Sequence, residues 1–315
     1  MMKFAFVFPG QGSQSLGMMA AYGDSSVIRT TFDEASAALG RDLWQLVTEG
    51  PAEALSQTVN TQPLMLTAGI AVWRLWQEKQ GPQPAMVAGH SLGEYAALVA
   101  AGVLDLKTAV PLVELRAKAM QEAVPAGVGA MAAILNLDVE KVKAICAEQE
   151  RMSNEGEAVQ AVNFNSPEQT VIAGHKAAVE RAAEACKAGG AKRAVMLPVS
   201  APFHSSLMQP AAARLQTALA GLDFKVPAIP VVNNVDVAVV ADPAGIKTAL
   251  VRQAAAPVRW VETMRAMQAA GITHVFECGP GKVLAGLTKR CADGLAGGAM
   301  NDLANVDATL ALVKG

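Results

Sequence analysis

Apolar and polar positions along the first third of the chain predict strands and helices in turn. Phe4–Phe8 is a short apolar run of the length of a buried strand, and it ends at a Pro-Gly pair. Val27–Leu39 and Leu64–Lys79 carry apolar residues at helical spacing, and Ala85–Ala88 is a second short apolar run. Alternating strands and helices are typical of a parallel sheet covered by helices, so the pattern predicts an α/β fold.

The pattern changes between residues 128 and 200. Strand, helix, strand, strand, helix and strand are predicted there, over Ala130–Leu135, Val139–Gln149, Ala158–Phe164, Thr170–Ala173, Ala177–Lys187 and Arg193–Val199. This order is that of the ferredoxin-like fold. Predicted strands at Pro230–Asn233 and His274–Cys278 then resume the first pattern. We therefore predict a large domain of residues 1–127 and 201–315, with an inserted ferredoxin-like subdomain of residues 128–200 and hinges near Val128 and Ser200.

A G-x-S-x-G motif follows the apolar run Ala85–Ala88 and precedes a helical pattern over Glu94–Leu104. The motif is Gly89-His90-Ser91-Leu92-Gly93, and in this strand–turn–helix context it predicts the nucleophile elbow of α/β acyl-transfer enzymes. Such a sharp turn requires glycines, because neighbouring backbone passes close by. The N-terminus of the following helix directs free N–H groups at a developing oxyanion. Ser91 is therefore the predicted nucleophile, and an acyl-serine is the predicted intermediate.

A serine hydroxyl needs a base that takes its proton, and the chain has four histidines. His90 adjoins the predicted nucleophile, so its side chain should point elsewhere, into packing or a hydrogen bond. His175 opens the second helix of the predicted small domain, where an exposed capping role is expected. His204 lies in an irregular segment where the chain re-enters the large domain, and His274 precedes a predicted strand. From the residues alone, His204 and His274 both remain candidate bases.

Arg116 lies on the apolar stripe of a helix predicted from Leu106 to Ala123, three and four residues after Val113 and Leu112. A buried guanidinium needs an anion, because an unpaired buried charge is very unfavourable. That anion is either a protein carboxylate in a structural salt bridge or a substrate carboxylate held by the planar fork of the arginine.

The loop after the first predicted strand, Gly10-Gln11-Gly12-Ser13-Gln14, is a candidate for the second oxyanion donor. In α/β acyl-transfer sites that N–H comes from such a neighbouring loop, and Gln11 can supply its own. The alternative is an ordinary turn between strand and helix.

Composition excludes several classes of protein. The net charge is −2 over 315 residues, which argues against a nucleic-acid-binding protein. No apolar run approaches the roughly 18 residues that cross a membrane. The four cysteines show neither a C-x-x-C pair nor metal-binding spacing, so free thiols in a reducing cytoplasm are expected. We expect no bound metal, no nucleic-acid or membrane partner, and a monomer.

Five segments, in order through almost the whole chain, resemble bacterial malonyl-CoA:acyl carrier protein transacylases. They are FAFVFPGQGSQ at 4–14, AGHSLGEY at 88–95, VNFNSP at 162–167, VVNNVD at 231–236 and FECGPGKVLAGLTKR at 276–290. The resemblance implies an α/β-hydrolase-like large domain with a parallel sheet and a ferredoxin-like insert. It implies ping-pong transfer of malonyl from malonyl-CoA, through a malonyl-Ser91 ester, to the phosphopantetheine thiol of acyl carrier protein in fatty-acid synthesis. No metal or redox cofactor is implied, since the carrier protein itself bears the phosphopantetheine.

The resemblance also assigns roles to individual positions. Ser91 matches the nucleophile and His204 the base, so His204 outranks His274, and the main-chain carbonyl of Gln253 orients the base. Further matches concern substrate binding: Arg116 pairs with the malonyl carboxylate, the N–H groups of Gln11 and Leu92 form the oxyanion hole, and Asn163 lines the pocket.

Phe203 departs from the family pattern, because many stand-alone bacterial members have a small residue at this position. In related modular synthase domains an aromatic residue here accompanies selection of malonyl over methylmalonyl. We therefore expect Phe203 to help exclude α-branched acyl groups. The acidic character of the carrier proteins implies a basic docking surface, for which the candidates are Lys192, Arg193, Lys282, Lys289 and Arg290.

Two other functional classes remain as alternatives. A serine hydrolase would use the triad Ser91, Asp242 and His274. A non-catalytic protein would bind the carrier without being acylated, which the intact elbow argues against.

Overall fold

Two β-sheets organise the chain in the computed structural model, which describes residues 2–153, 156–199 and 201–315. The strands of the larger sheet are β1 (Phe4–Phe8), β2 (Met86–Gly89), β7 (Val231–Val232), β8 (His274–Glu277) and β9 (Ala296–Ala299). They are parallel and lie in the order β7-β2-β1-β8-β9. Their carboxyl ends therefore meet at one edge, where ligand sites of open α/β sheets are found.

The smaller sheet is antiparallel. Its strands are β3 (Gly129–Leu135), β4 (Val159–Ser166), β5 (Gln169–His175) and β6 (Arg193–Met196), in the order β4-β5-β3-β6. Helices α7 (Val139–Met152) and α8 (Lys176–Ala188) connect β3 to β4 and β5 to β6. This is the order of a ferredoxin-like unit.

The other helices belong to the part of the chain outside the smaller sheet. They are α1 (Ser26–Leu39), α2 (Leu43–Glu49), α3 (Ala52–Leu55), α4 (Thr58–Glu78), α5 (Gly93–Ala100), α6 (Leu106–Gln121), α9 (Gln209–Ala220), α10 (Pro243–Ala254), α11 (Trp260–Ala269), α12 (Val283–Cys291) and α13 (Leu303–Lys314).

The predicted α/β class, with a parallel sheet and a second, smaller sheet, is confirmed. The domain limits 1–127, 128–200 and 201–315 stay a prediction. Of the two predicted hinges, Val128 is partly exposed and its carbonyl accepts the N–H of Lys176 (2.8 Å). The hinge predicted near Ser200 lies outside the described residues.

Helix α4 begins at Thr58, six residues before the predicted start at Leu64, and it contains Pro63. A proline inside a helix removes one N–H, so the carbonyl four residues earlier loses its partner. Here that carbonyl is Val59 O, and Arg41 Nη2 donates to it (3.1 Å). The long-range contact from Arg41 explains why the helix continues through the proline.

Strand β9 was not expected from its Ala-Gly-Gly-Ala sequence. An added Cβ on Gly297 would lie 2.6 Å from the Ala285 carbonyl oxygen, and one on Gly298 would lie 2.7 Å from the Phe276 ring. The glycines are therefore required by close packing of the strand against α12 and β8, although glycine disfavours a strand locally.

Beneath the larger sheet lies a cluster of aromatic rings, in which Phe6 meets Trp76 edge-on at 5.1 Å between ring centroids. The rest of this core is mainly Ala, Val, Leu and Met. Within the described ranges, no helix has the length and apolar character needed to span a membrane.

Candidate active site

Ser91 lies at the turn between the carboxyl end of β2 and the start of α5. Its φ is +53°, in the left-handed region that residues with a side chain rarely adopt. Glycine is required on both sides of the turn, since an added Cβ on Gly89 would lie 1.8 Å from the Gly93 carbonyl carbon. A Cβ on Gly93 would lie 2.0 Å from the Phe8 carbonyl oxygen. This geometry is that of a nucleophile elbow.

The side chain of His204 contacts the serine. Ser91 Oγ lies 2.7 Å from His204 Nε2, and His204 Nδ1 lies 2.8 Å from the main-chain oxygen of Gln253. A carbonyl oxygen only accepts, so Nδ1 carries the proton and Nε2 is free to accept one from the hydroxyl. Burial lowers the pKa of His204 to about 3, and the Arg116 charge contributes. The ring is therefore neutral at physiological pH and able to act as a base.

Arg116 brings a buried positive charge to the same serine. Its Nη2 donates to Ser91 Oγ (3.1 Å) and to Gln253 Oε1 (2.9 Å), and its Nη1 donates to Gln62 Oε1 (2.7 Å). The residue is 1% exposed, and burial lowers its pKa. Among the ion pairs of the described residues, none involves this guanidinium. Its partners are neutral, which leaves the charge without an adjacent anion.

A cavity of about 120 Å³ opens above Ser91, between the two sheets. Its lining includes the predicted residues Gln11, Leu92, Arg116, Asn163, Phe203 and His204, together with the apolar side chains of Met120, Met131, Leu197 and Val199. The walls are thus mainly apolar, with the polar groups gathered at the serine.

The two predicted oxyanion donors, Gln11 and Leu92, both line this cavity. Within the described part of the chain, neither the N–H of Gln11 nor that of Leu92 donates to a protein acceptor. The Gln11 side chain is held in place by Thr58, whose Oγ1 donates to Gln11 Oε1 (3.0 Å). Two free N–H groups next to the hydroxyl are suited to bind a negatively charged oxygen.

Asn163 lies on β4 at an irregularity of its pairing with β5. Its Oδ1 is buried and has no hydrogen-bond partner among the described residues. The residue lines the cavity, so a substrate group is a natural partner for this amide.

The other histidines lie away from the serine hydroxyl. The Nε2 of His90 is 2.7 Å from Asn165 Oδ1, its ring packs on Trp260, and burial lowers its pKa. His175 occupies the N-cap position of α8 without capping it, because its Nδ1 accepts the N–H of Ala158 (2.9 Å), just before β4.

The alternative triad of Ser91, Asp242 and His274 is not assembled in the structure. His274 pairs with Phe4 at the start of β1, whereas Gly89, just before the serine turn, pairs with Phe8. Four residues of strand separate the two levels, about 13 Å at 3.3 Å per residue. Asp242 caps α10, where it accepts the N–H of Gly245 (2.6 Å).

Two buried residues beneath the serine turn were missed in the sequence. Asn234 Oδ1 accepts the N–H of Ser91 (2.8 Å), and its Nδ2 donates to the Gly89 carbonyl (2.8 Å). Glu94 Oε2 accepts from the N–H of Asn234 and from Gln253 Nε2, both at 3.0 Å. Burial raises the pKa of Glu94 to about 7. The segment 231–236 was noted for its resemblance to the family, but Asn234 within it was given no role.

No group of three or more His, Cys, Asp or Glu side chains in residues 2–153, 156–199 and 201–315 is arranged to hold a metal ion. The chemistry that the arrangement itself offers is attack by an activated serine hydroxyl, with two free N–H groups for an oxyanion and a cation for an acidic substrate.

The comparisons with known proteins all indicate the same family. The acyl transferase domain family matches residues 5–298. The malonyl CoA-acyl carrier protein transacylase of Salmonella typhimurium is 56% identical over 311 residues, which cover 98% of this chain and 99% of the relative.

Solved structures give the same result. The acyl-carrier-protein S-malonyltransferase of Burkholderia pseudomallei is 60% identical, with a TM-score of 0.96 over 98% of this chain and all of that chain. A malonyl-transacylase solved in complex with a type II PKS acyl-carrier protein is 53% identical, with a TM-score of 0.96 over 98% and 99% of the two chains.

Proposed function

The chain belongs to the acyl transferase family that includes the malonyl CoA-acyl carrier protein transacylases, and from this membership we propose that it transfers malonyl from malonyl-CoA to acyl carrier protein. Both half-reactions use the same serine. The malonyl group first forms an ester with Ser91 and then moves to the phosphopantetheine thiol of the carrier. On the carrier it serves as an extender unit for fatty-acid synthesis.

In the first half-reaction His204 Nε2 takes the hydroxyl proton as Ser91 Oγ attacks the thioester carbonyl. The N–H groups of Gln11 and Leu92 bind the oxyanion of the tetrahedral intermediate. The intermediate collapses, the C–S bond breaks, and CoA leaves as a thiol with the proton from His204. Gln253 O holds the histidine ring in the required tautomer, at 2.8 Å from Nδ1.

The second half-reaction reverses these steps with a different thiol. The phosphopantetheine thiol gives its proton to His204 and attacks the ester carbonyl. Ser91 Oγ then leaves and recovers that proton. These steps require neither a metal ion nor a redox cofactor, since no electron is transferred and the base and oxyanion donors belong to the chain.

The position of Arg116 is the single observation that carries the choice of malonyl. A guanidinium 3.1 Å from the nucleophile, buried and without an adjacent carboxylate, matches the free carboxylate of a malonyl group attached at that oxygen. A hydrolase of uncharged esters would gain nothing from this charge, because burying it unpaired is unfavourable.

Acyl carrier protein is the proposed partner, supported by the solved complex of a 53% identical malonyl-transacylase with a carrier protein. We also propose a cytoplasmic location, since the four cysteines are buried free thiols, as is typical of a reducing compartment. A monomer remains the expectation.

Intact mass spectrometry after brief incubation with malonyl-CoA tests the proposal, with acetyl-CoA and Ser91→Ala as controls. We expect a malonyl adduct on the wild type only, and its discharge by added holo carrier protein. Steady release of free malonate without an adduct would indicate a hydrolase. An enzyme that is neither acylated nor active would contradict catalysis altogether.

A further inference from the structure

Glu94 is a buried carboxylate that the proposed transfer steps do not use. It lies in the first turn of α5, three residues after the nucleophile, and is 2% exposed. An acidic residue at that position usually interacts with the helix dipole at the surface. Here it faces inward, so its charge must be balanced by groups in the protein interior.

A chain of hydrogen bonds connects this carboxylate to Arg116. Arg116 Nη2 donates to Gln253 Oε1 (2.9 Å), and Gln253 Nε2 donates to Glu94 Oε2 (3.0 Å). One amide therefore separates the buried cation from the buried anion, and it is oriented favourably towards both. Hydrogen bonds aligned in this way strengthen one another in a low-dielectric interior.

The other charged and titratable groups around Glu94 are few. The Arg116 charge lowers its pKa, whereas the charge of Asp236 raises it. Asp236 itself is paired with Arg252. Tyr95, the next residue in α5, has a pKa raised by burial to about 12 and stays neutral. Tyr95 and Glu94 both raise the pKa of Arg116, and of these two groups Glu94 is the one that ionises near neutral pH.

We propose that Glu94 is the counter-charge of Arg116 while no acyl carboxylate is bound, and that it takes up a proton from solvent when a malonyl carboxylate reaches Arg116. This inference rests on the proposed malonyl transfer. Two carboxylates sharing one buried guanidinium repel each other, so binding of the second favours protonation of the first. Glu94 acts through Gln253 and touches no substrate, which makes it a positioning residue.

We place the entry of this proton at a small cavity that borders Glu94. A cavity of about 10 Å³, of the size that holds about one water, borders Glu94 together with Asn233 and Val240. Burial raises the pKa of Glu94 to about 7, so its charge changes within the range where the enzyme is assayed.

The sign of the pH effect follows from this arrangement. As the pH falls below 7, a growing fraction of Glu94 is protonated before malonyl binds, and the Arg116 charge becomes more available to the malonyl carboxylate. Above pH 7 Glu94 is ionised and competes for that charge. A malonyl carboxylate has an ordinary pKa of roughly 4 and is ionised throughout. Malonyl transfer should therefore lose efficiency relative to acetyl transfer as pH rises.

The test compares kcat/KM for acylation by malonyl-CoA with that by acetyl-CoA between pH 6 and 8.5, followed by CoA release. Titration of His204 or of the CoA phosphates affects both donors and cancels in the ratio. In the wild type we expect the malonyl-to-acetyl ratio to fall about five- to tenfold across this range, which is a modest coupling between two sites.

Glu94→Gln keeps a side-chain acceptor for Asn234 and Gln253 but removes the charge. We expect a ratio that stays high and independent of pH. Asp236→Asn, the matched control, removes the other nearby carboxylate and should retain the wild-type pH dependence. The wild-type profile needs no variant, so the inference can be tested even if Glu94→Gln does not fold.

Parallel pH profiles for the two donors in a wild type that is malonylated would overturn the inference and leave the proposed function intact. An equal loss for both donors in Glu94→Gln would also overturn it, because that is the effect of a purely structural brace. No malonyl adduct in the wild type would overturn the proposed function and this inference with it.

Discussion

At the scale of a single residue, the positive charge of Arg116 should make the enzyme select malonyl over uncharged acyl groups. We predict that Arg116→Ala lowers kcat/KM for malonyl-CoA by about 100-fold, since hydrogen bonds between charged groups contribute about 1.5–3 kcal/mol. Acetyl-CoA has no carboxylate, so its kcat/KM should change much less. CoA release measures both. Arg214→Ala, which removes an exposed arginine paired with Glu122, is the control. An equal loss for both donors would contradict a carboxylate-binding role.

The depressed pKa of His204 makes a prediction about pH. A base must be unprotonated, and burial lowers this pKa to about 3, below the ordinary value of 6.5. The single-turnover rate of Ser91 acylation at saturating malonyl-CoA should therefore show no loss of activity near pH 6.5 as the pH falls. Stopped-flow measurements from pH 5 to 8 check this. A decrease with a midpoint near 6.5 would show that the imidazole is not buried as described.

Phe203 immediately precedes the histidine and lines the same cavity, so we expect its ring to take up room beside the acyl group. We predict that Phe203→Ser raises the methylmalonyl-to-malonyl ratio of kcat/KM by about tenfold, since one methyl group in an apolar pocket is worth about 1–3 kcal/mol. Phe203→Leu keeps apolar bulk and should change the ratio less. An unchanged ratio in Phe203→Ser would exclude Phe203 as a determinant of specificity.

At the scale of the element, the strained backbone of the serine turn is stabilised by a side chain from a distant segment. Asn234 bonds to the turn twice, through the N–H of Ser91 and the carbonyl of Gly89. Asn234→Ala leaves both groups buried and unpaired, so we predict a loss of about 2–4 kcal/mol in the free energy of unfolding. Because the hydroxyl also loses its position, kcat should fall more than KM rises.

Urea unfolding and steady-state kinetics measure the two effects. Asn233→Ala is the matched control, because the Oδ1 of Asn233 accepts the N–H of Asp236 and does not contact the turn. It should reduce stability and have a smaller effect on kcat. A stable Asn234→Ala enzyme with normal kcat would show that the glycines alone determine the turn.

Local sequence predicted those elements whose reasons for folding are local. The run Phe4–Phe8 and the G-x-S-x-G turn carry their apolar and glycine patterns within a few residues. Helix α4 and strand β9 depend instead on distant partners, namely Arg41 for the carbonyl freed by Pro63, and α12 and Phe276 for Gly297 and Gly298. Such contacts leave no periodic signal in the sequence.

The site shows the same division. Ser91 follows from its motif, but the histidine that contacts it lies 113 positions away along the chain. The residues alone left both His204 and His274 as candidate bases, and the family resemblance decided for His204. Glu94 was missed because an acidic residue in a first helical turn is normally exposed. Its inward orientation depends on Gln253, which lies 159 positions further along.

At the scale of the whole molecule, the cavity lies between the two sheets and takes residues from each. Met131 and Asn163 come from β3 and β4, whereas Ser91 and Arg116 belong to the part of the chain built around the parallel sheet. The apolar side chains Met120, Met131, Leu197 and Val199 line the same cavity as the charged site, and we expect them to limit the access of water. This enclosure favours transfer to a bound thiol over hydrolysis of the ester.

The carrier protein must reach this cavity from outside, and we expect α12 to guide it. The helix begins next to the Gln11 loop, since an added Cβ on Gly281 would lie 3.2 Å from the Ser13 side chain. Exposed Lys282 precedes α12, and exposed Lys289 and Arg290 lie in its last turn. An acidic carrier would be attracted to this basic helix, and the attraction would weaken with salt.

We predict that the double substitution Lys289→Glu and Arg290→Glu raises KM for the carrier about three- to tenfold at low salt, by exchanging attraction for repulsion between the docked surfaces. Acylation by malonyl-CoA should be unchanged, because it precedes docking and occurs inside the cavity. The control is Lys187→Glu, on α8 of the smaller sheet, where an exposed lysine pairs with Glu184. An unchanged KM for the carrier would exclude the end of α12 from the docking surface. A parallel loss of malonyl-CoA acylation would assign the two charges to the CoA site instead.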